Sequence, residues 1–466
     1  MKAVKKHSLL ILFILGLLLR LSLLFYDYSW DINNHIAWAK DLHNRGFQGF
    51  YETQSSEIYA TLFPNYPPLS SFIFYVLYYL HSLLEKLAWQ INISFPLFPS
   101  KLIFLIQNRT FLAATLKLPA VFADLGIAWT CLLFARKIKP GNELTSKLAT
   151  MSILFNPAFF YNSALWGQID SLPIFFVLLS IYLLFFTNKY LLSSLFFVLG
   201  ILAKPTTLIY LPIYLIFFFQ KYKLINFLKA TLFGLLIFYL SFIPFLSSLK
   251  NPLLPFTIFT EKIMAAQSLP FVTNGAFNFW VLIRGFAGIK DTAPFLFGIS
   301  YRLWGYIITG FFTVFIVLKM VRHSGKRIVN RRGARPESLL DSGVPCLWRD
   351  HQNDIFLAFF LIAFIAFLFL TKMHERYSLL PLPFLLLATL MNRKLLKWFI
   401  ILSLISLFNL YHSWPVPKLV IITDVLYLPF ITLALSSLNL GLFLVIFIKF
   451  RNQKFVEPKK LKVERI

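Results

Sequence analysis

Groups able to move a proton or hold a phosphate gather in five short stretches of this sequence. The first runs Tyr26-Asp27-Tyr28-Ser29-Trp30-Asp31-Ile32-Asn33-Asn34-His35-Ile36-Ala37-Trp38. Asp31, His35 and Trp38 recur at i, i+4 and i+7, so a helix presents them on one face. A carboxylate partly shielded by aromatic rings suits a general base. The plainer reading makes Asp31 the cap of that helix and the rings interfacial anchors. The second stretch, Asn65-Tyr66-Pro67-Pro68-Leu69, fixes a rigid helix start. The third joins Asn156-Pro157 to Asn162-Ser163-Ala164-Leu165-Trp166-Gly167-Gln168-Ile169-Asp170-Ser171. Gly167 allows a tight turn, after which Gln168 and Asp170 are expected to point into one external space. A capped helix hairpin explains the same residues. Asp170 is a weak metal candidate, because hard cations need several oxygen ligands and no second acid is near. The fourth, Leu202-Ala203-Lys204-Pro205-Thr206, offers Lys204 either as a phosphate partner or as a snorkelling lysine. In the fifth, Lys372-Met373-His374-Glu375-Arg376-Tyr377, Arg376 suits a phosphate oxyanion and Glu375 can hold His374 or Arg376 in place. An interfacial charge network is the alternative. Without a second histidine four residues on, His374-Glu375 is no zinc-protease signature.

A shielded carboxylate with Lys, His and Arg near it suits a phosphorylated lipid as donor and a hydroxyl as acceptor. No Walker motif and no Gly-rich nucleotide fingerprint occurs, which argues against a cytosolic nucleotide as the direct donor.

The elements that must position these residues are membrane helices. Of 466 residues, 58% are hydrophobic and only 14% charged, with 55 Phe, and the mean hydropathy is +0.71. A soluble chain cannot hide that much apolar surface, so soluble enzymes, disordered chains and nucleic-acid binders are excluded. Cys131 and Cys346 are too few and too far apart for a disulfide framework or thiolate metal site. Apolar runs near 8–26, 113–135, 144–163, 171–187, 190–203, 206–220, 224–248, 302–319, 355–370, 377–391, 396–412 and 430–449 predict an all-α polytopic fold of about twelve spans, within a range of ten to thirteen. The first run follows a basic start and lacks a small-residue cleavage site, so it reads as a retained span.

Charge sets the expected direction. With both termini inside, 29 of the 45 Lys/Arg and 7 of the 19 Asp/Glu fall in the cytoplasm. The net charge of +26 is therefore a topology signal. This scheme makes 27–112 one external segment, with interfacial or re-entrant helices near 35–44, 69–88 and 101–112. A second external segment covers 249–301. Four parts follow: a module over 1–318, a basic cytoplasmic linker over 319–354, C-terminal helices over 355–449 and a basic tail over 450–466. Asn92-Ile93-Ser94 and Asn108-Arg109-Thr110 are sequons of the kind that arise by chance.

Several motifs carry a family resemblance. They are Trp166-Gly167-Gln168-Ile169-Asp170, within the stretch from Asn156-Pro157 to Pro173, the Lys204-Pro205 turn and Met373-His374-Glu375-Arg376-Tyr377, with support from Tyr66-Pro67-Pro68-Leu69. They resemble integral-membrane glycosyltransferases of the C-type (GT-C) fold. The nearest likeness is to bacterial and archaeal mannosyltransferases related to the second-mannose enzyme of GPI-anchor synthesis, and a more distant one is to glucosyltransferases of the ER. The resemblance runs from about residue 8 to 390, excludes the insert 319–354 and does not cover the chain after about 415. It implies a polyprenyl-phosphate-linked hexose donor, mannose ahead of glucose, and a glycan, lipid or protein acceptor. It implies inversion by direct displacement on the extracytoplasmic face of a prokaryotic plasma membrane. By position it makes Asp31 the catalytic acid-base residue, with Asp27 one helical turn earlier as rival. Asp27, His35, Trp38, Tyr66, Trp166, Gln168, Asp170, Lys204, His374, Glu375 and Arg376 become the expected substrate-binding set. It implies no certain cofactor and leaves a divalent metal open. The competing class is a lipid-linked-sugar transporter. It lacks support from any inverted repeat or matched pair of broken helices in two halves.

Overall fold

The computed structural model of the chain describes residues 2–26, 29–55, 63–266, 268–330 and 346–452. Helices dominate. The only paired strand segments among the described residues are two residues long, Thr273–Asn274 running parallel to Met373–His374. Five helices are long and apolar enough to cross a bilayer: Arg109–Ile138, Leu224–Phe245, Tyr301–Arg322, Arg393–Ser413 and Pro429–Asn452. Ser8–Leu23, Ser171–Phe186, Tyr190–Ala203 and Asp354–Phe369 are apolar and shorter.

The other three apolar runs are interrupted. Run 144–163 becomes the helix Glu143–Leu154, a short helix Pro157–Phe160 and a π-turn Tyr161–Trp166. Run 206–220 opens with the 3-10 turn Pro205–Tyr210 before the helix Leu211–Lys221. Run 377–391 opens with the 3-10 turn Glu375–Leu379 before the helix Leu382–Met391. Proline lies at each break: Pro157; Pro205 and Pro212; Pro381 and Pro383. A proline has no N–H to donate, and its ring clashes with the preceding helical turn. Of the roughly twelve apolar runs, nine thus fall on one apolar helix each and three are broken among the described residues.

Outward faces are apolar. On Leu224–Phe245, the residues Leu228, Leu232, Leu235, Leu236 and Leu240 are exposed along one face. Leu303, Ile307, Phe311, Val314 and Leu318 form a like stripe on Tyr301–Arg322. Stripes of this size left bare are what a lipid-facing surface needs and what a water-soluble chain avoids. The helix Asp354–Phe369 is the opposite case. It is buried on every side and forms the centre of the core with Leu382–Met391 and Pro429–Asn452.

Two boundaries differ from expectation. Segment 27–112 holds the helices Trp30–Arg45, Pro68–Ser94 and Ser100–Gln107. The expected helix 101–112 ends at Gln107, because the Asn108 side chain accepts from Thr110 N at 2.8 Å and caps Arg109–Ile138. The expected linker 319–354 is shortened from both sides by the helices Tyr301–Asn330 and Cys346–Phe369. Its middle, 331–345, and the tail from 453 on lie outside the described residues.

Candidate functional site

Two of the three broken runs, at Trp166 and at Glu375–Arg376, meet the start of Trp30–Arg45 around a cavity of about 1350 Å³. Its wall carries Asp31, His35, Trp38, Tyr66, Trp166, His374, Glu375 and Arg376, eight of the twelve expected site residues. Asp31, His35 and Trp38 do share one helix face. Asp31 is not the cap: Ser29 Oγ accepts from Ile32 N at 3.3 Å and caps the helix instead. That leaves the Asp31 carboxylate free of backbone duty. Its Oδ2 accepts from Trp166 Nε1 at 3.0 Å, and 24% of the side chain stays exposed. Pro67 and Pro68 start the helix Pro68–Ser94 as expected, and Tyr66 just before them donates to Gln168 Oε1 at 3.3 Å.

Arg376 stands among three carboxylates. Its Nη1 donates to Glu375 Oε1 at 3.0 Å, Nη2 lies 3.8 Å from Asp31 Oδ1, and Nε lies 3.6 Å from Asp170 Oδ2. The last two distances are too long for hydrogen bonds. Buried Nε–H has no hydrogen-bond partner among the described residues. The guanidinium therefore keeps donors in reserve. His374 Nδ1 lies 3.8 Å from Glu375 Oε2.

Lys204, Asp170 and Gln168 are placed differently from expectation. All three are fully buried and stand behind the cavity wall instead of on it. Lys204 Nζ is 2.6 Å from Asp170 Oδ1 and 5.4 Å from the rings of both Tyr66 and Tyr377. A phosphate in the cavity meets neither the lysine nor a free Asp170. With one oxygen facing an ammonium and the other a guanidinium, Asp170 is also poorly set for a metal. No group of three or more His, Cys, Asp or Glu suited to a metal occurs among the described residues. Asp27 lies outside the described residues.

Burial and neighbouring charge fix the protonation states. Burial pushes the His35 imidazole down to about 3, so it is neutral at pH 7. It stacks on Phe74 with 4.3 Å between ring centres, and neither ring nitrogen has a hydrogen-bond partner among the described residues. Burial, followed by the Arg376 charge, also lowers His374. At Asp31 burial pushes the carboxyl up, but Arg376 and its other partners outweigh it and hold the group below its ordinary value.

Sequence reading missed the residues that brace this arrangement. The segment 268–277 forms one wall of the cavity. Ser268 Oγ donates to Lys372 O at 2.7 Å and Lys372 N to Phe271 O at 3.2 Å. Asn409 Nδ2 donates to Gly275 O at 2.6 Å, Phe277 N to Asn409 Oδ1 at 2.9 Å, and Asn439 Nδ2 to Phe277 O at 2.8 Å. Below the cavity Arg20 pairs with Asp124 at 2.8 Å, both fully buried, and Ser163 Oγ donates to the same carboxylate at 2.6 Å. Trp414 stacks on Trp166 at 5.6 Å. The available signal was a lone polar residue inside an apolar run, as at Arg20, Asp124, Asn409 and Asn439. No protein-family model matches the chain, and no curated protein matches it.

Proposed function

We propose that this protein is a polyprenyl-phosphate-sugar-dependent hexosyltransferase of the GT-C kind, with mannose the favoured sugar. Asp31 takes the proton from an acceptor hydroxyl, and that oxygen attacks C1 of the lipid-linked sugar. The C1–O bond to phosphate breaks with inversion, and prenyl phosphate leaves with the electron pair. Arg376 offsets the charge that develops on the leaving oxygen, using donors not committed elsewhere. The single observation that carries this reading is the pairing of Asp31 and Arg376, 3.8 Å apart on one cavity wall. A base and an oxyanion partner side by side are what a displacement with an anionic leaving group requires. Lys204 drops out of direct phosphate contact in this scheme. Its place is behind Asp170, which in turn faces Arg376.

The site faces outward with about twelve passes and both termini in the cytoplasm. The Lys/Arg distribution supports this orientation. The test is to incubate the purified chain in nanodiscs with mannosyl prenyl phosphate and a glycan acceptor and look for a new glycosidic bond. Movement of the donor between leaflets with no new bond would favour the transporter class instead.

A further inference from the structure

Two chain ends meet beside Asp31, and each would leave carbonyls without partners. The helix Lys2–Leu23 stops just before residues 24–26, and the π-turn stops at Trp166. A helix end exposes its last carbonyls, and orphaned ones are costly where water is scarce. One side chain serves both ends. The three N–H groups of Lys117, fully buried within Arg109–Ile138, are shared among Leu24 O at 3.1 Å, Tyr26 O at 3.4 Å, Ala164 O at 3.0 Å and Leu165 O at 2.7 Å. A second tie adjoins it, as Ser29 Oγ donates to Trp166 O at 2.9 Å. The fit is close. A Cβ at Gly167, which sits at φ +86°, would come within 3.1 Å of Lys117 Cε and 2.5 Å of Ile32 Cγ1.

We propose that Lys117 is a positioning residue for the Asp31 carboxylate, acting through Trp166; this rests on the transferase reading above. By riveting the end of the first helix to the π-turn, it fixes where Ser29 starts the next helix and where the Trp166 indole lies. The indole N–H then holds Asp31 Oδ2, which leaves Oδ1 toward Arg376 and the acceptor. Removing the ammonium frees both ends to separate, and a displacement near 1 Å in a reacting group lowers turnover by roughly 10²-fold.

The test uses the full chain in nanodiscs with mannosyl prenyl phosphate, comparing wild type, Asp31→Asn, Lys117→Met, Trp166→Phe and the double variant Lys117→Met/Trp166→Phe. Lys117→Met and Trp166→Phe should bind the donor within about threefold of wild type, while kcat falls by roughly 10–100-fold. Their acid limbs of kcat should move to higher pH, because the carboxylate loses a hydrogen bond to its charged form. The double variant should be no worse than Trp166→Phe alone, as expected of residues acting on one path. Wild-type kcat in Lys117→Met, or multiplying losses with an unmoved acid limb, would overturn the proposal. If Lys117→Met does not fold, Lys117→Gln takes its place under the same criteria. Absence of transfer by wild type would defeat the transferase reading itself. Transfer by wild type, its loss in Asp31→Asn and normal turnover in the Lys117 variants would defeat this inference alone.

Discussion

The connections at the two ends of the helices are built differently. At 138–143, 187–190, 221–224 and 391–396 the chain turns with local devices. Asn142 Oδ1 accepts from Thr145 N at 2.9 Å, Lys189 N donates to Thr187 Oγ1 at 3.2 Å, and Asn392 Oδ1 accepts from Lys394 N at 3.1 Å. At the other end the helices break at proline, and the partners are distant in sequence: Asp31 with Trp166, Asp170 with Lys204, Arg376 with both acids. Local caps need little and demand little. A buried network of five charges carries a large desolvation penalty, and such networks persist in membranes where they serve a function. The contrast marks the broken end as the place where the proposed transfer would be carried out, independently of any family likeness.

The largest expected effect compares two lysines. Lys204→Met strands Asp170 without its nearest cation and should destabilise the fold by about 3–5 kcal/mol. Lys221→Met removes contacts of a partly exposed ammonium with the Leu184 and Phe185 carbonyls and the Tyr222 ring, strands no charge, and should cost about 1 kcal/mol. Thermal unfolding in detergent measures both, and equal losses would erase the distinction between the ends. Adding Asp170→Asn to Lys204→Met should recover part of the loss.

Next comes Asp31→Asn, which keeps the shape of the side chain but not its basicity. Because Ser29 is the cap, folding should be untouched and donor binding retained. Turnover should fall by at least ~10²-fold. Near-normal turnover would move the base elsewhere.

A smaller difference separates two glycines, both left-handed. Gly141, at φ +78°, has open space around it, so Gly141→Ala should carry only the backbone penalty of about 1 kcal/mol. Gly167→Ala should destabilise more and also lower turnover, since its Cβ collides with Ile32, the neighbour of Asp31. Like effects at the two positions would mean the Gly167 contact can relax freely.

The smallest effect is a shift in pH. Asp31 is held below its ordinary value, chiefly by Arg376 acting against burial. Its base form therefore survives as pH falls toward the ordinary carboxylate range, and activity is lost only as pH drops through the lowered value. Arg376→Met removes the opposing charge, so the acid limb of residual turnover should move to higher pH. An unmoved limb would uncouple the two residues.

Much of this was legible before any coordinates. The i, i+4, i+7 face of Asp31, His35 and Trp38 and the turn at Gly167 depend on local geometry, which spacing reports directly. Prolines 157, 205, 212, 381 and 383 were visible too, yet hydropathy averaged over them and returned smooth spans. Lys204 was misjudged for a deeper reason. A lysine at a turn looks alike whether it faces a cavity or an acid 34 residues away. Only the tertiary pairing decides, and spacing carries no record of it. The same holds for Arg20 with Asp124 and for Asn409 and Asn439. The plainer reading of Asp31 as the cap fails because Ser29, two residues earlier, fills that role.

The wall formed by 268–277 bears on how molecules reach the cavity. Five hydrogen bonds to Lys372, Asn409 and Asn439 tie it down, beside the pairing of Thr273–Asn274 with Met373–His374. At about 1 kcal/mol each, the five alone make peeling the wall away cost at least about 5 kcal/mol. With tenfold for every 1.4 kcal/mol, roughly one molecule in several thousand would stand open at any instant. A bulky reactant waiting for that rare event would turn over slowly, however well the groups beneath were aligned. Loosening Asn409 or Asn439 would therefore raise the share of molecules in which this wall stands away from the cavity.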